Sequence, residues 1–186
     1  MADDADDPLN RRVSVVVAIA ATFLTICNVK DSNIVQAMQQ AQAETVNRWS
    51  YFQAKSTKQH MAEAAADELE TIGLTLSEPE AKQRVADAVA RWRGDVVRYE
   101  AEKKAIEQSA HDVESTYAAL NLRDDQFDMA EASLSLSIAL MGITALTRQK
   151  WLLALGGGFA AFGGFMAVCG FAGWPFHPNA LASFLT

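Results

Sequence analysis

Glu70-Thr71-Ile72-Gly73-Leu74-Thr75-Leu76-Ser77-Glu78-Pro79-Glu80 decides the fold, because it concentrates the punctuation of an otherwise helix-favouring stretch. Between Asp31 and Glu131 the only proline is Pro79, and Gly73 and Gly94 are the only glycines. Gly73 suits the left-handed residue that ends a helix, with Leu74 able to make the apolar contact of a Schellman motif. Ser77 and Glu80 have the spacing of a capping box, and Pro79 falls in a first helical turn, where its missing N–H is harmless. A stop signal directly followed by a start signal predicts two helices joined by a short turn near 73–77.

Outward from that turn, the second arm carries a heptad-like seam. Val85, Val89, Trp92, Val96, Tyr99, Lys103, Ile106, Ala110, Val113, Tyr117, Leu120, Asp124 and Phe127 alternate by fours and threes, and only Lys103 and Asp124 are charged. Such a run predicts coiled-coil packing. The first arm is less regular: Val35, Met38, Gln42, Thr45, Trp49, Phe52 and Ser56 keep the spacing, which then drifts into Ala62, Ala65, Ala66, Leu69 and Ile72. Folding the arms about Thr75 brings Trp49 and Phe52 to Tyr99, Thr45 to Ile106, Met38 to Val113 and Met61 to Val89. Residues 122–131 are then left as an interfacial connector.

Beyond the arms the charges stop. Val13–Val29 reads VSVVVAIAATFLTICNV, flanked by Arg11 and Arg12 before it and Lys30 after it. Its 17 residues approach the ~20 that a hydrocarbon core of about 30 Å requires. A cleaved signal peptide is the rival reading, but no small-x-small site follows the run. A second apolar segment covers 132–147. A third, 151–172, begins at Trp151 and exits at Trp174-Pro175, which suits headgroup depth. The expectation is therefore an all-α membrane protein: three transmembrane helices, with a long antiparallel coiled-coil hairpin (30–131) between the first and the second. Residues 1–12 form an acidic head expected to be disordered, and 173–186 a C-terminal tail.

The central motif Asn47-Arg48-Trp49-Ser50-Tyr51-Phe52-Gln53-Ala54-Lys55-Ser56-Thr57-Lys58 resembles the W-x-Y-Y-Q-A-K-S-x-K signature of a bacterial membrane-protein family, a domain of unknown function numbered 4337. Asn10-Arg11-Arg12-Val13, Phe127-Asp128-Met129-Ala130-Glu131-Ala132 and Ala145-Leu146-Thr147-Arg148 are similar to that family's spans and following loop. Phe52 replaces the second tyrosine of the signature. The resemblance implies a helical inner-membrane protein and brings no activity, cofactor or catalytic residue.

Net charge is −7, which argues against nucleic-acid binding. The sequence contains no phosphate-loop motif, and Gly156-Gly157-Gly158 lies inside a span. Glu107, His111 and Glu114 share a helix face, but a metal site needs three or four converging ligands. No catalytic residue, metal ligand, cofactor or small-molecule substrate is expected, and the chain does not read as an enzyme. Candidate interaction residues are Trp49, Tyr51, Phe52, Gln53, Lys55, Ser56 and Lys58, either as a docking surface or as hairpin core. Gly156, Ala160 and Gly164 form a small-residue stripe for helix packing within the membrane. The function expected is a membrane-anchored scaffold or accessory subunit, acting on a protein partner or on copies of itself. The alternative is a small oligomeric channel or a transporter's auxiliary subunit. Arg11, Arg12, Arg148 and Lys150 place the N-terminus in the cytoplasm and the hairpin in the periplasm of a bacterial inner membrane.

Overall fold

The computed structural model describes residues 8–178. They form three helices, α1 (Pro8–Thr75), α2 (Pro79–Thr147) and α3 (Lys150–Ala172), with no strand among the described residues. Each helix contains a stretch long and apolar enough to cross a membrane. The helices build two compact units. One comprises the chain up to Gln39 and from Ala118 onward; the other comprises Gln40–Tyr117.

In the Gln40–Tyr117 unit, the helices break at Leu76, Ser77 and Glu78. Pro79 is the first residue of α2, and Lys82 N–H donates to the Glu78 carbonyl at 3.1 Å, so Glu78 rather than Ser77 occupies the capping position. Gly73 also departs from expectation. It is helical, and among the described glycines only Gly173 has a positive φ. What Gly73 supplies is clearance, since a Cβ there would lie 3.3 Å from Val85 Cγ1.

The pairs between α1 and α2 define the register. Arg93 reaches Asp67 and Glu70, Gln59 reaches Glu100 and Lys103, and Trp49 reaches Glu114. Folding about Thr75 misplaces these partners by about three helical turns, because the arms pair about a centre near Glu80 rather than Thr75. Met61 consequently faces solvent at 67% exposure, and Ile72 is also exposed. Gln42 points outward as well, and the buried positions of α1 in this unit are Ala41, Gln59, Ala62 and Ala66. From α2 the unit buries Ile106 and Ala110, with Val96, Tyr99, Val113 and Tyr117 half-buried along the expected seam.

The other unit is packed on a seven-residue repeat in all three helices. α1 buries Val13, Ala20, Cys27 and Ile34; α2 buries Phe127, Leu134 and Met141 together with Ala130, Ser137 and Thr144; α3 buries Gly156, Gly163 and Gly170. A repeat of seven is the spacing that keeps one seam of a helix facing its neighbour. Residues 122–131 are not a separate connector: α2 runs through them, and Phe127 and Ala130 are fully buried. α1 likewise begins at Pro8, so the last five residues of the expected acidic head are helical, while residues 1–7 lie outside the described residues. α3 ends at Gly173, whose φ of 67° needs the absence of a Cβ. The following Trp174 N–H donates back to Cys169 O at 3.0 Å. The part of the tail after residue 178 lies outside the described residues.

Candidate functional site

The Trp49–Lys58 motif sits on α1 where helical spacing sorts its side chains onto two faces. Trp49, Phe52, Lys55 and Ser56 are half-buried toward α2, whereas Tyr51, Gln53 and Lys58 are exposed. On the inner face Trp49 Nε1 donates to Glu114 Oε1 at 2.8 Å, and His111 Nδ1 contacts the other oxygen, Glu114 Oε2, at 2.9 Å. The Trp49 ring meets Phe52 and His111 edge-on, with centroids 5.5 and 5.6 Å apart. These aromatic contacts add to area burial. One turn on, Lys55 pairs with Glu102, and its ammonium lies 5.4 Å from the ring centroids of both Tyr51 and Tyr99.

The next layer is built on Gln59, one residue past the motif. Its amide nitrogen donates to Glu63 and Glu100, both at 3.1 Å, and its oxygen accepts from Lys103 Nζ at 3.1 Å. Lys103 also lies 5.2 Å from the Phe52 ring centroid. The seam's one lysine is therefore a partner to a buried amide and an aromatic face, not a defect. In the sequence Gln59 is marked only by its position seven residues after Phe52, and being polar it gives no apolar signal there.

These contacts also set the charges. Hydrogen bonding to Glu102 raises the Lys55 pKa, and the Lys55 hydrogen bond lowers that of Glu102. The Trp49 N–H and then His111 hold Glu114 below its usual carboxylate value. All of these groups are solvent-reachable, so the layer specifies register more than it adds stability.

The packing residues of α3 are arranged differently from the small-residue stripe. Gly156 does pack closely, with a Cβ there 3.0 Å from Met141 Cε, and the Ser137 hydroxyl donates to its carbonyl at 2.7 Å. Ala160 is half-buried, and a Cβ at Gly164 would meet nothing within 4 Å. The tight positions are Gly163, whose Cβ would lie 3.0 Å from Ala130 O, and Gly170, 2.8 Å from Phe127 Cε2.

A polar belt that sequence reading missed lies in the same unit. Asp31 on α1 faces Asp124 on α2, and each has a buried Oδ1 with no donor. Burial pushes the Asp124 carboxyl up to about 6, assisted by the charge of Asp31, and burial also raises Asp31. Two carboxylates so placed are best satisfied by one shared proton. Nearby, the Asn28 amide, oriented by its hydrogen bonds, donates to Glu131 at 2.7 Å. His177 Nε2 lies 2.8 Å from Asp125 Oδ2. Gln126 is fully buried and donates to the carbonyls of Trp174 and Phe176, both at 2.7 Å. The signal available in the sequence was Asp124, a charge at a seam position. Among the described residues, no group of three His, Cys, Asp or Glu side chains is arranged to hold a metal ion.

The fold and these layers define an all-helical protein with three helices apolar enough to span a membrane, and with paired helical segments locked by aromatic and charged side chains. The model of a family described as a domain of unknown function (DUF4337) matches residues 9–173, and the chain belongs to that family. No curated protein and no solved structure matches the chain.

Proposed function

We propose that this protein is anchored in a membrane by 13–29, 132–147 and 151–172, and that its middle is an antiparallel coiled-coil hairpin that acts by binding protein. The reading is of a scaffold or accessory subunit, with a protein partner or another copy of the chain on its outer face. It rests on one observation, the large apolar side chains that the Gln40–Tyr117 unit leaves exposed. The buried positions are mostly alanine, while Val46, Tyr51, Met61 and Val97 are each more than half exposed and Trp92 is 40% exposed. Single exposed apolar residues are ordinary, but several large ones left outside a unit whose fully buried positions are mostly alanine keep apolar area available for contact. Aromatic anchors such as Tyr51 and Trp92 are the side chains that dominate binding energy at interfaces.

Affinity capture of the full chain from native membranes should retain a stoichiometric protein partner, or a defined oligomer in detergent. Met61→Glu with Val97→Glu should release it while leaving helicity unchanged. A helical, monomeric chain with no retained protein would refute the proposal. Positive-inside asymmetry from Arg11, Arg12, Arg148 and Lys150 puts the hairpin in the periplasm of a bacterial inner membrane. A cysteine introduced at Ser77 should then react with an impermeant thiol reagent in spheroplasts, and one at Gln149 only after lysis. The reverse pattern would put the hairpin, and any partner, in the cytoplasm.

A further inference from the structure

In the unit built from the chain ends, a groove runs between α1 and α3. Its mouth, about 730 Å³, is lined by Arg11, Arg12, Val16, Leu153 and Gly157. Val16 also lines a further stretch of about 460 Å³, walled by Ile19, Phe23, Gly164 and Val168. The mouth lies within the range of ligand sites. Its chemistry is graded: two guanidinium groups at one end and hydrocarbon along the remainder. Neither arginine has an ion-pair partner among the described residues. Substituting a Cβ at Gly157 or Gly164 would meet nothing within 4 Å, so protein packing leaves this space open.

The length of the groove is informative. From Arg12 to Phe23 a helix rises about 16 Å, which is close to half of a hydrocarbon core of about 30 Å. A furrow that starts with cations and runs the depth of one leaflet matches one phospholipid with an anionic headgroup. A soluble phosphate has no use for the apolar walls, and a neutral lipid none for the arginines. Basic pockets between membrane helices are suited to such headgroups.

We propose that this groove holds one anionic phospholipid, its phosphate between Arg11 and Arg12 and an acyl chain along Val16, Phe23 and Gly164. The site rests on the reading that these helices span a membrane. Each cation near the headgroups contributes about 1 kcal/mol, or roughly a five-fold change in affinity.

The test is native mass spectrometry of the full chain in detergent, titrated separately with phosphatidylglycerol and phosphatidylcholine. Wild type should bind one phosphatidylglycerol about 25-fold more tightly, following from two such arginine contributions. Arg11→Gln with Arg12→Gln should remove that preference. Gly164→Leu should weaken both lipids by filling the furrow, whereas Gly142→Leu, outside it, should change neither; circular dichroism checks that each variant is folded. Unchanged preference in the double arginine variant would overturn the proposal. So would displacement of the lipid by equimolar glycerol phosphate, which marks a headgroup site alone, or a dimer that Gly164→Leu dissociates, which marks a second copy in the groove. Carbonate extraction tests the anchor separately: release of the chain from membranes would sink the membrane reading, whereas retention with no lipid preference sinks only the lipid site.

Discussion

Gly163→Val perturbs the closest approach of α3 to the backbone of α2. An ideal Cβ at Gly163 lies 2.9 Å from Leu134 Cγ, 3.0 Å from Ala130 O and 3.1 Å from Ser133 Cβ. Favourable carbon–carbon contact begins near 3.5 Å, so the helices would have to part by several tenths of an ångström. The leucine terminus can swing aside, but the Ala130 carbonyl belongs to the α2 backbone and cannot move alone. Forcing extra methyl groups into such a seam costs about 1–3 kcal/mol, and the branched valine falls toward the upper end. Better helix propensity than glycine returns only a few tenths of a kcal/mol. A net loss of about 2–3 kcal/mol is expected. Gly164→Val is the control, since nothing lies within 4 Å of a Cβ there. Unfolding of the full chain from mild detergent into increasing dodecyl sulfate, followed by circular dichroism and tryptophan fluorescence, measures both. If Gly163→Val and Gly164→Val agree within about 0.5 kcal/mol, the seven-residue glycine seam is misassigned.

Three further outcomes are expected. Trp49→Phe keeps the ring but deletes the donor to Glu114, and should lower stability by about 1 kcal/mol in thermal melts; no change would mean the hydrogen bond carries no energy. Asp124→Asn should raise the thermal midpoint at pH 7.5. The folded pKa of Asp124 is about 6, above its ordinary value near 3.8, so its contribution to stability is present below 3.8 and is lost as pH rises through 6. The gain from the amide should therefore vanish near pH 4, and a gain independent of pH would refute the shared proton. Arg148→Gly should stabilise the chain by about 1 kcal/mol in the same melts, because Arg148 adopts a φ of 56°, which costs a side-chain-bearing residue about that much; a loss would show that the arginine side chain outweighs the strain.

How much of this was legible depends on contrast. In the second arm, apolar and charged residues alternate, so the seam from Val85 to Tyr117 stood out and most of it faces inward in the structure. The break near Pro79 was readable for the same reason, since proline and glycine are rare around it. The register was not readable: a shift of about three turns exchanges one set of alanines and polar residues for another. The membrane-length segments carry no charge and only scattered hydroxyls and one amide, so polarity gives little period to detect. The repeat there is one of size, Val13, Ala20, Cys27 and Ile34 on α1 and Gly156, Gly163 and Gly170 on α3. The small-residue stripe through Gly156, Ala160 and Gly164 took a step of four where the helices pack on seven. The facing carboxylates of Asp31 and Asp124 escaped notice because residues so far apart in the chain meet only once the register is known.

The order of contacts away from the bend has a kinetic consequence. Gly73 touches Val85 beside the turn, and the paired residues then lie 23 apart at Arg93–Glu70, 41 at Gln59–Glu100 and 65 at Trp49–Glu114. Formed in that order, each pair closes only the short loop left open by the one before, so the entropy of closing 65 residues at once is never required. The Gln40–Tyr117 unit should therefore assemble as a zipper from the bend, and its speed and its persistence reside in different residues. Changes at Val85 or Arg93 should slow folding, whereas changes at Trp49 or Glu114 should leave the folding rate alone and accelerate unfolding.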